Sequence, residues 1–148
     1  MSLPAPLVPV SWGELLDKIA ILEIKAERIA DPGKRANVRK ELGALCGARD
    51  AALANARDPA RKPAPTADAE LEGLAVELRA VNEALWDIED GIRLAERARD
   101  FGPRFVALAR AVYRTNDRRA ALKRRISERL ASDLVEEKSY ADLADLTA

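Results

Sequence analysis

Two glutamates, Glu23 and Glu27, lie four residues apart in the segment ILEIKAERI, which has the apolar spacing of an amphipathic helix. On a helix with 100° per residue, both fall between two apolar stripes. A like-charged pair at this spacing costs roughly 0.2–0.5 kcal/mol in water, and burial without partners would cost far more. The pair therefore needs cationic partners or a solvent-filled cleft. Asn116, Arg119 and Lys123 interrupt the apolar face of a later predicted helix and can provide such partners.

The heights of the helices predict that these charges meet. With about 1.5 Å per residue and helices whose lower ends are flush, Glu23 comes level with Lys123, and Glu27 with Arg119. Such a polar layer is either an ion network that fixes helix register or a pocket for a small polar or anionic ligand. Its candidate residues are Glu23, Glu27, Asn82, Trp86, Glu89, Arg93, Asn116, Arg119 and Lys123.

The chain has 148 residues, no histidine and one cysteine, Cys46. The lack of histidine excludes histidine-assisted nucleophiles, histidine-ligated zinc and Glu-x-x-His di-iron sites. We therefore expect no metal and no cofactor, and we assign no catalytic residue. A single cysteine excludes an internal disulfide. No apolar run approaches the roughly 18–20 residues that span a bilayer, and no signal-peptide pattern is present, which predicts a cytoplasmic protein without a membrane span.

A second charged feature is an outward-facing basic stripe on the last predicted helix. Its members are Arg110, Arg114, Arg118, Arg125 and Arg129. A nucleic-acid surface is one interpretation, but the net charge of the chain is zero and no aromatic residues interleave with the arginines. The pattern favours a solvated face or an acidic protein partner, and makes a nucleic-acid partner the weaker hypothesis.

The elements that must position these residues are helical, because Ala, Leu, Arg and Glu dominate the composition. Ser11 and Glu14 form a capping box at the start of the first helix. Asp31, Pro32 and Gly33 predict the turn that follows it. The predicted helices span about 11–30, 34–56, 67–99 and 103–131, in a single domain of residues 1–148 with a flexible linker at 57–66.

Apolar residues of the third predicted helix recur at alternating steps of three and four, which is a heptad seam. They are Leu71, Leu74, Leu78, Val81, Leu85, Ile88, Ile92 and Ala95. The pattern predicts an all-α, antiparallel four-helix bundle with a long, coiled-coil-like hairpin of the third and fourth helices, then a short C-terminal helix or tail. The third helix, at about 49 Å, is longer than the first, at about 30 Å, so part of the seam is exposed and we expect a homodimer through it.

Four blocks of the sequence resemble a family of small bacterial all-helical proteins, a domain of unknown function. The blocks are SWGELLDKIAILEIKAERI, NEALWDIEDGIRLAE, FVALARAVYRTNDRRAALKRRI and LVEEKSY. The resemblance implies a helical fold, a bacterial cytosolic setting and a connection with cell-surface polysaccharide genes. It implies no catalytic residues.

The first helix is also similar to that of the all-helical chorismate mutases, as LLDKIAILEIKAERI and the following Lys34 and Arg35 show. Arg119 and Lys123 would supply the cationic pocket that this resemblance implies, but Glu23 and Glu27 at the same level would repel a dicarboxylate. The sequence therefore favours a non-enzymatic binding or assembly module. The alternative is a small-ligand protein or enzyme that uses the polar layer.

Overall fold

A computed structural model describes residues 1–56 and 69–141. Over these ranges the chain forms four α-helices and no strand: α1 (Trp12–Arg28), α2 (Pro32–Ala56), α3 (Ala69–Arg97) and α4 (Pro103–Arg129). The predicted all-α helical bundle is confirmed. The predicted linker at 57–66 lies outside the described residues. None of the described helices is long and apolar enough to cross a membrane.

The main core lies between α3 and α4, which form an antiparallel hairpin. It contains Leu74, Leu78, Val81 and Leu85 of α3 with Leu122, Ile126 and Leu130 of α4. The four α3 residues belong to the predicted heptad seam. Farther along the hairpin, Ile88 and Ile92 are only half-buried. They lie beyond the end of α1, whose Arg28 binds Asp87.

Serine hydroxyls fix the first turn of α1, one of them from the last turn of α4 and one from the residues that follow α4. The backbone N–H groups of Trp12, Gly13 and Glu14 donate to the Oγ atoms of Ser132, Ser127 and Ser11, at 3.2, 3.0 and 3.1 Å respectively. First-turn N–H groups have no acceptor inside their own helix, so these bonds satisfy donors that would otherwise be unpaired. Ser11 thus caps α1 as predicted, whereas the Glu14 carboxylate of the predicted capping box binds Lys123.

Gly13 lets α1 cross α4 in direct contact with its backbone. A Cβ atom at Gly13 would overlap the carbonyl oxygen of Lys123 and lie 2.9 Å from the Ser127 hydroxyl. Only a residue without a side chain permits this approach. The crossing therefore sets the register of α1 against α4.

The second helix begins two residues earlier than predicted. Asp31 Oδ1 accepts a hydrogen bond from the Lys34 N–H at 2.7 Å, and α2 starts at Pro32. The predicted turn at Pro32 and Gly33 is therefore wrong at these two residues, because proline is well suited to the first position of a helix. Among the described helices α2 packs against α1 alone, and Val38 is its buried residue.

Residues 133–141, here named the C-terminal segment, are not helical and run back along α4. The chain reverses at Ala131, whose φ of 49° is left-handed, and the Ser132 N–H donates to the Ser127 carbonyl at 2.8 Å. Of the two predicted alternatives, the described part of this region is a tail. A short helix at residues 142–148 would lie outside the described residues.

Candidate functional site

The predicted pairing of Glu23 and Glu27 with Arg119 and Lys123 is wrong. Both glutamates bind Arg79 of α3, at 3.3 Å from Glu23 and 2.6 Å from Glu27. The side chains of Glu23 and Glu27 are 42% and 62% exposed. The arginine thus offsets the like-charge repulsion at the protein surface.

The cause of this difference is the register of α1. Flush helix ends would bring Lys123 level with Glu23, whereas Lys123 binds Glu14. Nine residues separate these glutamates, which corresponds to about 14 Å along the helix. The close crossing at Gly13 produces the shift, since it holds the beginning of α1 beside Lys123.

Lys123 is the centre of a charge cluster, here named the Lys123 cluster, that joins α1, α4 and the C-terminal segment. Its Nζ atom lies 2.6 Å from Glu14, 2.9 Å from Glu136 and 3.9 Å from Asp17. The side chains of Lys123 and Asp17 are 9% and 6% exposed. Three carboxylates around one buried ammonium group satisfy its charge without any ligand.

Two pKa shifts follow from these contacts. The hydrogen bond from Lys123 holds the pKa of Glu14 below its ordinary value of 4.5, against the opposing effect of burial. Burial by itself would lower the pKa of Lys123, but the hydrogen bonds to Glu14 and Glu136 outweigh it and raise that pKa above 10.5. Both groups therefore stay charged over the neutral range.

Arg119 lies one turn before Lys123 but is poorly satisfied. Asp17 accepts a hydrogen bond from Asn82 Nδ2 at 2.7 Å, and Asn82 Oδ1 accepts one from Arg119 Nη1 at 3.4 Å. Among the described residues, this long bond to a neutral amide is the one hydrogen bond of the guanidinium, whose Nε atom is buried without a partner. Within the described ranges, no carboxylate lies within 4.0 Å of Arg119. A half-buried charge with so few partners is unusual and requires an explanation.

Arg119 lines a groove between α4 and the C-terminal segment, here named the α4 groove. Its volume is about 680 Å³. The lining residues are Val112, Tyr113, Asn116, Asp117 and Arg119 from α4, with Lys138, Tyr140 and Ala141 from the C-terminal segment. Cavities of about 300–1,000 Å³ accommodate small organic ligands.

Comparisons of the chain with protein-family models, curated proteins and solved structures find no match. The geometry of the α4 groove and of the Lys123 cluster is therefore the basis for a functional proposal.

The remaining predicted members of the polar layer lie apart from the α4 groove. Trp86 packs under Arg28, with 5.7 Å between the guanidinium carbon and the ring centroid, which is a cation–π contact. Glu89 and Arg93 form an i, i+4 pair at 3.2 Å on the surface of α3. The structure thus links Asn82, Arg119 and Lys123 through Asp17. Of the predicted layer, Asn116 and Arg119 line the α4 groove.

The predicted basic stripe is partly neutralised by α3. Glu70 lies 4.0 Å from Arg125 and 3.6 Å from Arg129, and Glu77 lies 3.8 Å from Arg118. Arg110 and Arg114 are exposed. These pairs leave a shorter stretch of positive charge than the sequence pattern indicated.

Four residues of the observed clusters were missed by reasoning from the sequence: Glu14, Asp17, Arg79 and Glu136. Asp17 carried the clearest signal, because it lies at helical spacing between Gly13 and Ala20 on a stripe that the structure buries. The sequence places Glu14 in the capping box, which does not indicate an ion pair with α4. Nothing in the sequence pattern indicated that Glu136 would return to α4.

Proposed function

We propose that this chain is a non-enzymatic binding module that holds a small anionic ligand in the α4 groove. The main support for the proposal is the small number of hydrogen-bond partners of the Arg119 guanidinium. A half-buried guanidinium is most stable when an anion binds it. The contrast with Lys123 on the same helix supports this interpretation. Among the described residues, Lys123 has three carboxylates within 4.0 Å, and Arg119 has one amide oxygen at 3.4 Å.

Lys138 supplies a second positive charge to the α4 groove from the opposite wall. A cation on each wall suits an anion that lies between α4 and the C-terminal segment. The Lys123 cluster supports this arrangement indirectly, since Glu136 attaches the segment to α4 two residues before Lys138. A role in binding rather than catalysis is favoured because the chain lacks histidine and its most buried charges already neutralise each other.

The test is a thermal-shift comparison with phosphate, sulfate and dicarboxylates at constant ionic strength. A ligand that binds only the folded state raises its stability by RT ln(1 + [L]/Kd), which is about 2.7 kcal/mol at a concentration of 100 Kd. We expect at least one anion to raise the melting temperature of the wild-type protein and to lose this effect in Arg119→Met.

The matched control is Arg110→Met, which removes an exposed arginine of α4 that does not line the groove. This variant should respond to the anion as the wild-type protein does. If no anion stabilises the wild-type chain, or if Arg119→Met responds equally, the proposal is wrong.

We also propose that the chain acts as a homodimer in the bacterial cytoplasm, with the distal half of the α3–α4 hairpin as a coiled-coil-like interface. Three large apolar residues there support this proposal by their exposure: Leu94, Phe101 and Val106, at 56%, 54% and 50%. Light scattering provides the test, with Val106→Asp expected to shift a dimer toward monomer. A wild-type chain that stays monomeric at high concentration would exclude this interface.

A further inference from the structure

The α4 groove contains a carboxylate as well as two cations. Asp117 lines it beside Arg119, with Lys138 also contributing to the lining. A simple inorganic anion would gain from the cations but would be repelled by the carboxylate. A ligand that carries both an anionic group and hydroxyl donors would satisfy both signs of charge, since a carboxylate accepts hydrogen bonds from hydroxyl groups.

The two tyrosines of the groove add a different type of surface. Tyr113 comes from α4 and Tyr140 from the C-terminal segment, and they are 41% and 80% exposed. A tyrosine offers an apolar ring face together with a hydroxyl that donates and accepts hydrogen bonds. Tyrosines on both walls suit a ring whose faces are apolar and whose edge carries hydroxyl groups.

We infer that the ligand of the α4 groove is a phosphorylated sugar, either free or as the ribose phosphate of a nucleotide. Arg119 and Lys138 bind the phosphate group, because charge-assisted bonds to phosphate oxygens are the strong hydrogen bonds of such sites. Asp117 and Asn116 bind ring hydroxyls, and Tyr113 and Tyr140 contact the ring. This inference rests on the proposed function, since it names the class of anion that the groove accepts.

Isothermal titration of the full-length chain with four compounds provides the first test. The compounds are inorganic phosphate, ribose, ribose 5-phosphate and adenosine monophosphate. We expect ribose 5-phosphate to bind at least about tenfold more tightly than phosphate, because a site built for hydroxyl groups discriminates against ligands that lack them. Ribose without phosphate should bind more weakly than ribose 5-phosphate. Adenosine monophosphate distinguishes the two sources, since tighter binding would identify a nucleotide and equal or weaker binding a free sugar phosphate.

The second test separates the roles of the two charged residues on α4. Asp117→Asn should weaken the binding of ribose 5-phosphate by about fivefold or more, because the carboxylate accepts hydrogen bonds from hydroxyl groups. The affinity for inorganic phosphate should stay the same or rise, because the carboxylate repels phosphate. Arg119→Met should weaken the binding of both compounds. The control is Asp90→Asn, an exposed aspartate of α3 that does not line the groove.

The outcomes distinguish failure of the inference from failure of the proposed function. If wild-type protein binds phosphate or a dicarboxylate through Arg119, but binds ribose 5-phosphate no more tightly than phosphate, the sugar inference is wrong and the anion site stands. An equal loss of affinity for phosphate and for ribose 5-phosphate in Asp117→Asn would also overturn the inference. If none of the anions binds, both proposals are wrong.

Discussion

Lys123 and Arg119 lie one turn apart on α4, yet the structure predicts opposite effects when each is replaced by methionine. Lys123→Met leaves three carboxylates without their common cation. Removing one partner of a buried ion pair typically costs about 3–5 kcal/mol. Glu14 and Glu136, whose side chains are 30% and 45% exposed, can turn toward water, whereas Asp17 cannot. We therefore expect a loss of about 2–4 kcal/mol in the free energy of unfolding.

Arg119→Met removes a charge that, within residues 1–56 and 69–141, has no carboxylate within 4.0 Å and makes one hydrogen bond of 3.4 Å to an amide. The lost bond is long, and the methionine avoids the cost of holding a guanidinium away from water. These two contributions oppose each other. The free energy of unfolding should therefore change by less than about 1 kcal/mol in either direction.

The measurement is unfolding in urea, in an amine buffer free of phosphate and sulfate, because a bound anion would add stability to the wild-type protein alone. Equal slopes for the three proteins would allow their midpoints to be compared as free energies. A loss below about 1 kcal/mol in Lys123→Met would refute the buried cluster. An equally large loss in both variants would refute the distinction between a satisfied and an unsatisfied cation, and with it the basis for the anion site.

Further predictions follow from the same contacts. Gly13→Ala should lower the free energy of unfolding by about 1–3 kcal/mol, because its Cβ overlaps the α4 backbone; a neutral result in urea unfolding would contradict the close crossing. Ala131→Gly should raise it by about 0.5–1 kcal/mol, because glycine tolerates the φ of 49°, and a destabilised variant would argue against the left-handed turn. Glu23→Ala should cost no more than about 1 kcal/mol, since the ion pair of this glutamate with Arg79 is only partly buried. The lowered pKa of Glu14 contributes stability that is present above pH 4.5 and is lost as the pH falls through that lowered pKa. The raised pKa of Lys123 contributes stability that is present below pH 10.5 and is lost as the pH rises through that raised pKa. The difference between wild-type and Lys123→Met unfolding free energies should therefore shrink at both extremes, and a constant difference from pH 2 to 7 would exclude the role of Glu14.

Local patterns in the sequence were sufficient to predict the helices and much of the core. The capping box at Ser11 predicted the start of α1, and the steps of three and four in α3 identified the residues that pack against α4. These features depend on neighbours within one or two turns of the same helix, which the sequence displays directly. Proline can begin a helix as well as end one, so the sequence pattern around Pro32 predicts a turn where the structure begins α2.

The register between helices could not be predicted in this way, because distant residues determine it. The position of α1 depends on Gly13 and on two serine hydroxyls, that of Ser127 in the last turn of α4 and that of Ser132 just after it. A glycine within a helix pattern has several interpretations, and a serine near a helix end usually caps its own helix. The shift of about 14 Å that follows changed the partners of Glu23, Glu27 and Lys123, whereas the Glu89–Arg93 pair lies within α3 and does not depend on the register.

The alternatives of a structural ion network and a ligand pocket are linked through the C-terminal segment. Lys123 binds Glu136, and the same segment contributes Lys138 and Tyr140 to the α4 groove. Glu136 does not line the groove. If the proposed site is correct, loss of the Lys123–Glu136 ion pair should still weaken ligand binding, because this pair holds the C-terminal segment against α4. Glu136→Gln is the suitable variant, because it keeps the size of the side chain, and Glu14 continues to neutralise Lys123. A measured affinity equal to that of the wild-type protein would show that the segment keeps its place without this ion pair.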